Sequence, residues 1–214
     1  SDLRKKTFEF AVTYNQQLKA KEINNYIFAP KNLGDSINTA SLEYFPSFTI
    51  DGKTMIFTRR VNNDEDFYQS DLINGTWSKA EPLAGKINTN LNEGAQNISQ
   101  DGEWLIFTGC NYPEGAGSCD LYIAYKTKNG SWTEAENMGP MINTEFWESS
   151  PSLSPDKRHL YFSSNRLGGF GGKDIWMSTR QPNGKWGKPE NLGPAINTKA
   201  DEGCPFIHAD HQTL

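Results

Sequence analysis

Apolar residues along this chain fall in short runs bounded by turn residues. Thr54-Met55-Ile56-Phe57-Thr58, Trp104-Leu105-Ile106-Phe107-Thr108 and His159-Leu160-Tyr161-Phe162-Ser163-Ser164 are nearly continuous. Such runs predict strands covered on both faces. Asp51-Gly52 and Asp101-Gly102 precede the first two, with Asp156-Lys157 before the third. Asp-Gly between apolar runs predicts a tight hairpin, because the primed turns need positive φ. A second set of runs begins with Asp at Asp66, Asp120 and Asp174 and ends near Asn74-Gly75, Asn129-Gly130 and Asn183-Gly184. Residues 1–23 differ. Leu3, Phe10, Tyr14 and Leu18 recur at a helical spacing, with Lys5, Lys6, Gln16, Gln17 and Lys19 on the opposite side and Ser1 or Asp2 placed to cap. This predicts one amphipathic helix.

The strand-like runs recur in register. Ile-Asn-Thr begins at Ile37, Ile87, Ile142 and Ile196, in steps of 50, 55 and 54 residues. A Glu follows each Thr by four (Glu43, Glu93, Glu148, Glu202), and an Asp follows each Glu by eight (Asp51, Asp101, Asp156, Asp210). A fixed period of this size marks a repeat architecture. Each unit reads as four short antiparallel strands, the fourth opening on Trp77, Trp132 or Trp186. One unit cannot bury both of its faces; several stacked around an axis can, and that arrangement is a β-propeller. The tryptophans then read as fillers of the gaps between blades. The expected fold is therefore all-β. It has a helix and linker over 1–29 and propeller repeats over 30–214, with blades at about 40–83, 90–138 and 145–192 and a partial blade at 199–214. The partial blade should begin with a strand over Cys204–His208. Propellers close with roughly four to eight blades, so this reads as a piece of a longer protein.

Composition narrows the function. The formal net charge is −5, which disfavours nucleic acid and anionic lipid as partners. No apolar run approaches the roughly 18 residues that span a membrane, and no signal peptide is recognisable. If exported, the chain is a mature piece.

The pattern Asn-Leu-Gly-x-x-Ile-Asn-Thr, then Glu-x-x-Pro-x-Leu-Ser-x-Asp, then Leu-Tyr-Phe-Ser-Ser-Asn-Arg-x-Gly-Gly-x-Gly-Gly-x-Asp-Ile, resembles the WD-like (TolB-like) β-propeller repeat of bacterial envelope proteins. The resemblance covers roughly residues 30 to 214. It is closest to multidomain proteins in which a tetratricopeptide region precedes the propeller and an OmpA-like peptidoglycan-binding domain follows. Some of these belong to type IX secretion and gliding machinery. It implies about six blades and a Gram-negative periplasmic or outer-membrane-associated setting. It also implies envelope proteins as partners, with peptidoglycan reached through a domain outside this chain. Residues 1–29 would then end a helical-repeat region.

Cys110 and Cys119 flank one hairpin loop at facing strand ends, and in an oxidising periplasm they are expected to form a disulfide. Cys204 is expected to be buried. The three His and the Cys do not cluster at zinc-ligand spacing, and no metal or cofactor is expected.

For Glu43, Glu93, Glu148 and Glu202 two readings stand. Each carboxylate accepts hydrogen bonds from the inter-blade Asn-Thr loop, or the four ring the mouth of a central channel and bind a cation or basic peptide. A group present in every copy favours the structural role. Gly168–Gly172 is not a phosphate cradle, since a strand rather than a helix follows it. A Gly-x-Ser-x-Gly elbow is lacking, and Gly102 directly follows Asp101 where a sialidase Asp-box needs Gly two after the Asp. No catalytic residue is assigned.

Loop residues Arg59, Arg60, Tyr112, Trp147, Asn165, Arg166 and Phe170 form the candidate partner-binding surface, since Arg and aromatics are enriched at interaction hot spots. Trp147 breaks the repeat, its counterparts being Leu42, Asn92 and Asp201. The function expected is a non-enzymatic protein-interaction scaffold of the envelope. A carbohydrate-binding or glycan-processing propeller is the alternative.

Overall fold

Three sheets follow one another along the chain, each an antiparallel meander. The first holds β1 (Leu42–Phe48), β2 (Thr54–Val61), β3 (Asp64–Ile73), β4 (Thr76–Trp77) and β5 (Glu81–Pro82). The second holds β6 (Asn92–Ile98), β7 (Trp104–Cys110), β8 (Cys119–Tyr125) and β9 (Glu136–Asn137). The third holds β10 (Glu148–Leu153), β11 (His159–Ser164), β12 (Asp174–Thr179) and β13 (Glu190–Asn191). The structure, a computed structural model, describes residues 29–214. The helix expected over residues 1–23 lies outside them. The chain divides between Leu33 and Gly34, and the strands belong to the second unit, Gly34–Leu214.

The β1–β2, β6–β7 and β10–β11 turns share one construction. Gly52, Gly102 and Lys157 stand at φ 64°, 77° and 59° and donate to the carbonyls of Thr49, Ser99 and Ser154. The hydroxyl of that same Thr or Ser donates to the turn aspartate, at 2.7 Å for Asp51 and 2.6 Å for Asp101 and Asp156. The left-handed conformation suits Gly, and the third turn holds Lys157 in it.

Apolar strand faces meet between sheets. Ile56, Phe67 and Leu83 of the first sheet pack with Ile98, Leu105, Phe107 and Tyr122 of the second, around Ile87 and Trp132. Ile106, Leu121 and Ile123 of the second pack with Leu153, Leu160, Phe162 and Trp176 of the third, around Ile142. The second sheet is thus buried on both faces, as its continuous apolar runs require.

The Ile-Asn-Thr tripeptide is the joint between sheets. Ile37, Ile87 and Ile142 are buried. The Asn amide mimics a strand residue: Asn143 accepts from Leu121 N–H at 2.8 Å and donates to Leu121 C=O at 2.9 Å. Asn88 does the same with Phe67, and Asn197 with Ile175. Each amide therefore fastens the start of one repeat to the third strand of the preceding sheet. The innermost strands are stitched as well. Ile98 N–H donates to Ser47 Oγ, Leu153 N–H to Asn97 Oδ1 and Ile207 N–H to Ser152 Oγ, at 2.9–3.2 Å.

Three expectations need correcting. The outer ladder strand does not generally open on the tryptophan. Continuous outer pairing begins about four residues later, at β5, β9 and β13, while Trp132 and Trp186 make single bridges to Lys126 and Arg180. The Trp132 N–H instead donates back to Ala84 C=O of the first repeat, and its ring enters the inter-sheet core. Trp77 alone lies in a short strand, β4, paired with an extension of β3. Nor do residues Cys204–His208 form a strand. They lie along β10, tied by Ile207, and then close a turn through His208 N–H to Thr213 C=O. With no ladder partner among the described residues, Cys204 is exposed rather than buried.

Candidate functional site

The four repeated glutamates sit where each Ile-Asn-Thr joint enters its innermost strand. Each accepts from the backbone N–H and hydroxyl of the Thr four residues before it: Glu43 from Thr39, Glu93 from Thr89, Glu148 from Thr144 and Glu202 from Thr198. Glu93 and Glu148 are fully buried. Burial pushes the Glu93 carboxyl above its usual range, against the hydrogen bonds from Thr89 and Tyr112 that favour its charged form. Glu202 is half-buried, and the Thr198 bonds hold its carboxyl below the usual range.

A second partner reaches three of these carboxylates, one from the end of β2, where Arg59 and Arg60 are strand rather than loop residues, and two from the β7–β8 and β11–β12 loops. Arg59 Nε lies 3.1 Å from Glu43, Tyr112 donates to Glu93, and Arg166 Nη2 lies 3.1 Å from Glu148. Each of these side chains also covers the aromatic two residues after the repeated Asp (Asp66, Asp120, Asp174) of its third strand. Arg59 stands 4.3 Å over Tyr68, Tyr112 packs on Tyr122 at 4.5 Å, and Arg166 stands 5.4 Å over Trp176. Arg59 and Arg166 further donate to the carbonyls of Ile37 and Ile142. The carboxylates are thus consumed inside the fold. Three of the seven residues nominated for a partner surface, Arg59, Tyr112 and Arg166, point inward with them.

The remaining four lie at the loop end of the sheets. Arg60 is exposed, 3.4 Å from Asn63. Trp147 is half-buried; its N–H donates to Asn165 Oδ1 at 2.9 Å, its backbone bridges Cys119, and Lys173 Nζ stands 4.3 Å over its ring. Phe170 is half exposed, with its N–H donating to Asp174. The sulfurs of Cys110 and Cys119 are bonded, closing the loop beside Trp147.

Sequence reasoning missed the apolar part of this end. Pro140, Met141, Phe146, Leu167 and Trp176 line a cleft of about 550 Å3, together with the charged residues Glu145, Arg166 and Lys188. Leu167 is 79% exposed and Met141 50%. The available signal was Leu167 itself, a large apolar residue inside a glycine-rich loop. Among the described residues no group of His, Cys, Asp and Glu is arranged to hold a metal ion. No helix there is long and apolar enough to cross a membrane.

No protein-family model matches the sequence, and neither does any curated protein. Among solved structures, the putative TolB from Agrobacterium tumefaciens matches with a TM-score of 0.50 and 17% identity, over 80% of this chain and 56% of that one. The chain has the TolB-like propeller fold. TolB from Acinetobacter baumannii matches with a TM-score of 0.49 and 21% identity, over 70% of this chain and 32% of that one. The chain therefore spans about a third to just over half the length of these structures. In such a fold each sheet corresponds to a blade, and the Ile-Asn-Thr joints join one sheet to the next.

Proposed function

We propose that this chain is a non-enzymatic protein-interaction module of the Gram-negative envelope, and that its loop end is the binding face. The observation that carries this reading is the cleft that Phe146 lines next to Trp147 in the chain, where Met141 and Leu167 expose apolar surface while the repeat carboxylate Glu148 is held by Thr144, Ser164 and Arg166. Large side chains left open beside rigid, satisfied polar groups fit a hot spot better than a reactive centre. The propeller fold and the disulfide fit a periplasmic setting. The repeat resemblance extends the proposal to a propeller of about six blades within a larger outer-membrane-associated, peptidoglycan-anchored assembly of the type IX secretion kind.

The test is capture from a detergent-solubilised envelope fraction, with the retained proteins identified by mass spectrometry. Leu167→Asp and Trp147→Ala are compared with the unaltered chain. Both substitutions should release the same partner while leaving the melting temperature within a few degrees. Retention of glycans in place of protein, insensitive to Leu167→Asp, would replace this reading with a carbohydrate-binding one.

A further inference from the structure

The opposite end of the blades breaks the repeat in charge. One backbone hydrogen bond recurs there in all three blades: Leu72 N–H to Lys53 C=O, Lys126 N–H to Glu103 C=O, and Arg180 N–H to Arg158 C=O. The residues facing each other across it are Lys53 and Leu72 in the first blade and Glu103 and Lys126 in the second. In the third they are two arginines. Opposite charges across a ladder stabilise and like charges destabilise, so the third blade carries a local electrostatic cost that its siblings avoid.

The cations around this pair are held in place. Lys157 forms an ion pair with Asp101 and stands 4.7 Å over the Trp104 ring. Arg180 stands 4.7 Å over the same ring and donates to Gly184 C=O at 3.1 Å. Arg158 is exposed, and its hydrogen bonds to Ser154, Asp156 and Arg180 are all made by its main chain. Together with His159 these residues line an open cavity of about 600 Å3. The one acid in its wall, Asp156, is engaged by Ser154 and the Arg158 N–H.

We infer that this turn-end surface of the third blade docks a short acidic segment of a partner protein, with carboxylates meeting the Arg158 and Arg180 guanidiniums. Arginine presents a planar fork matched to carboxylates, and Arg180 is pre-ordered by stacking. The formal net charge of −5 opposes an extended polyanion, which would meet the acidic remainder of the chain; a short segment meets only the patch. This inference rests on the interaction-module reading but concerns the other end of the propeller.

The probe is fluorescein-labelled octaglutamate, followed by anisotropy against the full chain at low and at physiological salt. Binding should weaken with salt. Arg158→Glu should weaken it about tenfold, and Arg158→Gln about threefold. Lys53→Glu makes the same charge reversal at the equivalent exposed turn of the first blade and should change binding by less than about twofold. The inference is overturned by absence of binding at low salt, by equal losses in Arg158→Glu and Lys53→Glu, or by inorganic tripolyphosphate or anionic vesicles binding where octaglutamate does not. Partner capture lost while octaglutamate still binds would count against the proposed function alone.

Discussion

At the residue scale, the repeated tripeptide divides its work. Ile fills the inter-blade core, Asn fastens backward to the preceding blade, and Thr holds the Glu of its own blade. Removing the Asn143 amide would strand the Leu121 N–H inside the protein, while the Leu121 C=O would keep only the N–H of Met138 at 3.1 Å. An unsatisfied buried polar group costs about 1–3 kcal/mol, so Asn143→Ala should lower the unfolding free energy extracted from urea melts by an amount in that range. Asn143→Asp keeps an acceptor for the N–H but loses the donor, and it brings another carboxylate near Asp120 and Glu148. It should do no better than Ala, and a near-neutral Asn143→Asp in urea melts would sink this account. The spacing made these positions visible in the sequence, because Ile, Asn, Thr and Glu recur at fixed offsets. The partners Arg59, Tyr112 and Arg166 were not visible as a set. They lie 16, 19 and 18 residues after their glutamates, one in a strand and two in loops, and differ in type. Only the fold reveals that all three cap a carboxylate and cover an aromatic.

At the element scale, the tight hairpins rest on one acidic residue each, and this sets a pH dependence. Hydrogen bonding from the Thr49 hydroxyl, followed by that from the Lys53 N–H, holds Asp51 below the usual carboxylate range. For Asp101 and Asp156 burial pushes upward but is outweighed, by Lys157 and Ser99 in one case and by Ser154 and the Arg158 N–H in the other. A depressed folded pKa gives stability that is fully present above the unfolded value, about 3.9 for Asp, and is lost as pH falls through the folded value. The chain should therefore lose thermal stability as pH drops below about 4. A variant with Asn at 51, 101 and 156 should melt lower at neutral pH and show a shallower fall across that acid range. Parallel curves for the two proteins would remove the turns from the account. Turn chemistry of this kind was legible from Asp-Gly alone. The displaced outer strand was not, because periodicity cannot tell whether a tryptophan's backbone bonds within its own blade or, as Trp132 does, with the one before.

At the scale of the whole molecule, blades meet only through neighbouring faces, so stability is close to a sum of blade and interface contributions. The described blades are not equivalent in this respect. The second is flanked on both sides, and Leu105, Ile106, Phe107, Leu121 and Tyr122 show no exposed surface. On the first, Leu42, Phe48, Ile50 and Ile73 are each 45–64% exposed. Sheets opened most rarely belong to the most deeply buried cooperative unit. Native-state hydrogen exchange of this chain, read by mass spectrometry on peptides spanning β7–β8, β2–β3 and β11–β12, should therefore give the slowest amides in β7–β8. Replacing Phe107 by Ala, a change that typically costs about 3–5 kcal/mol in a packed core, should speed exchange in both β7–β8 and β2–β3, because Phe107 packs edge-on against Phe67 of the first blade at 5.1 Å. It should affect β11–β12 less, since Phe107 belongs to the cluster shared with the first blade and not to the one shared with the third. Uniform acceleration of all three regions would mean that the blades open as one unit, and the additive picture would then fail for this chain.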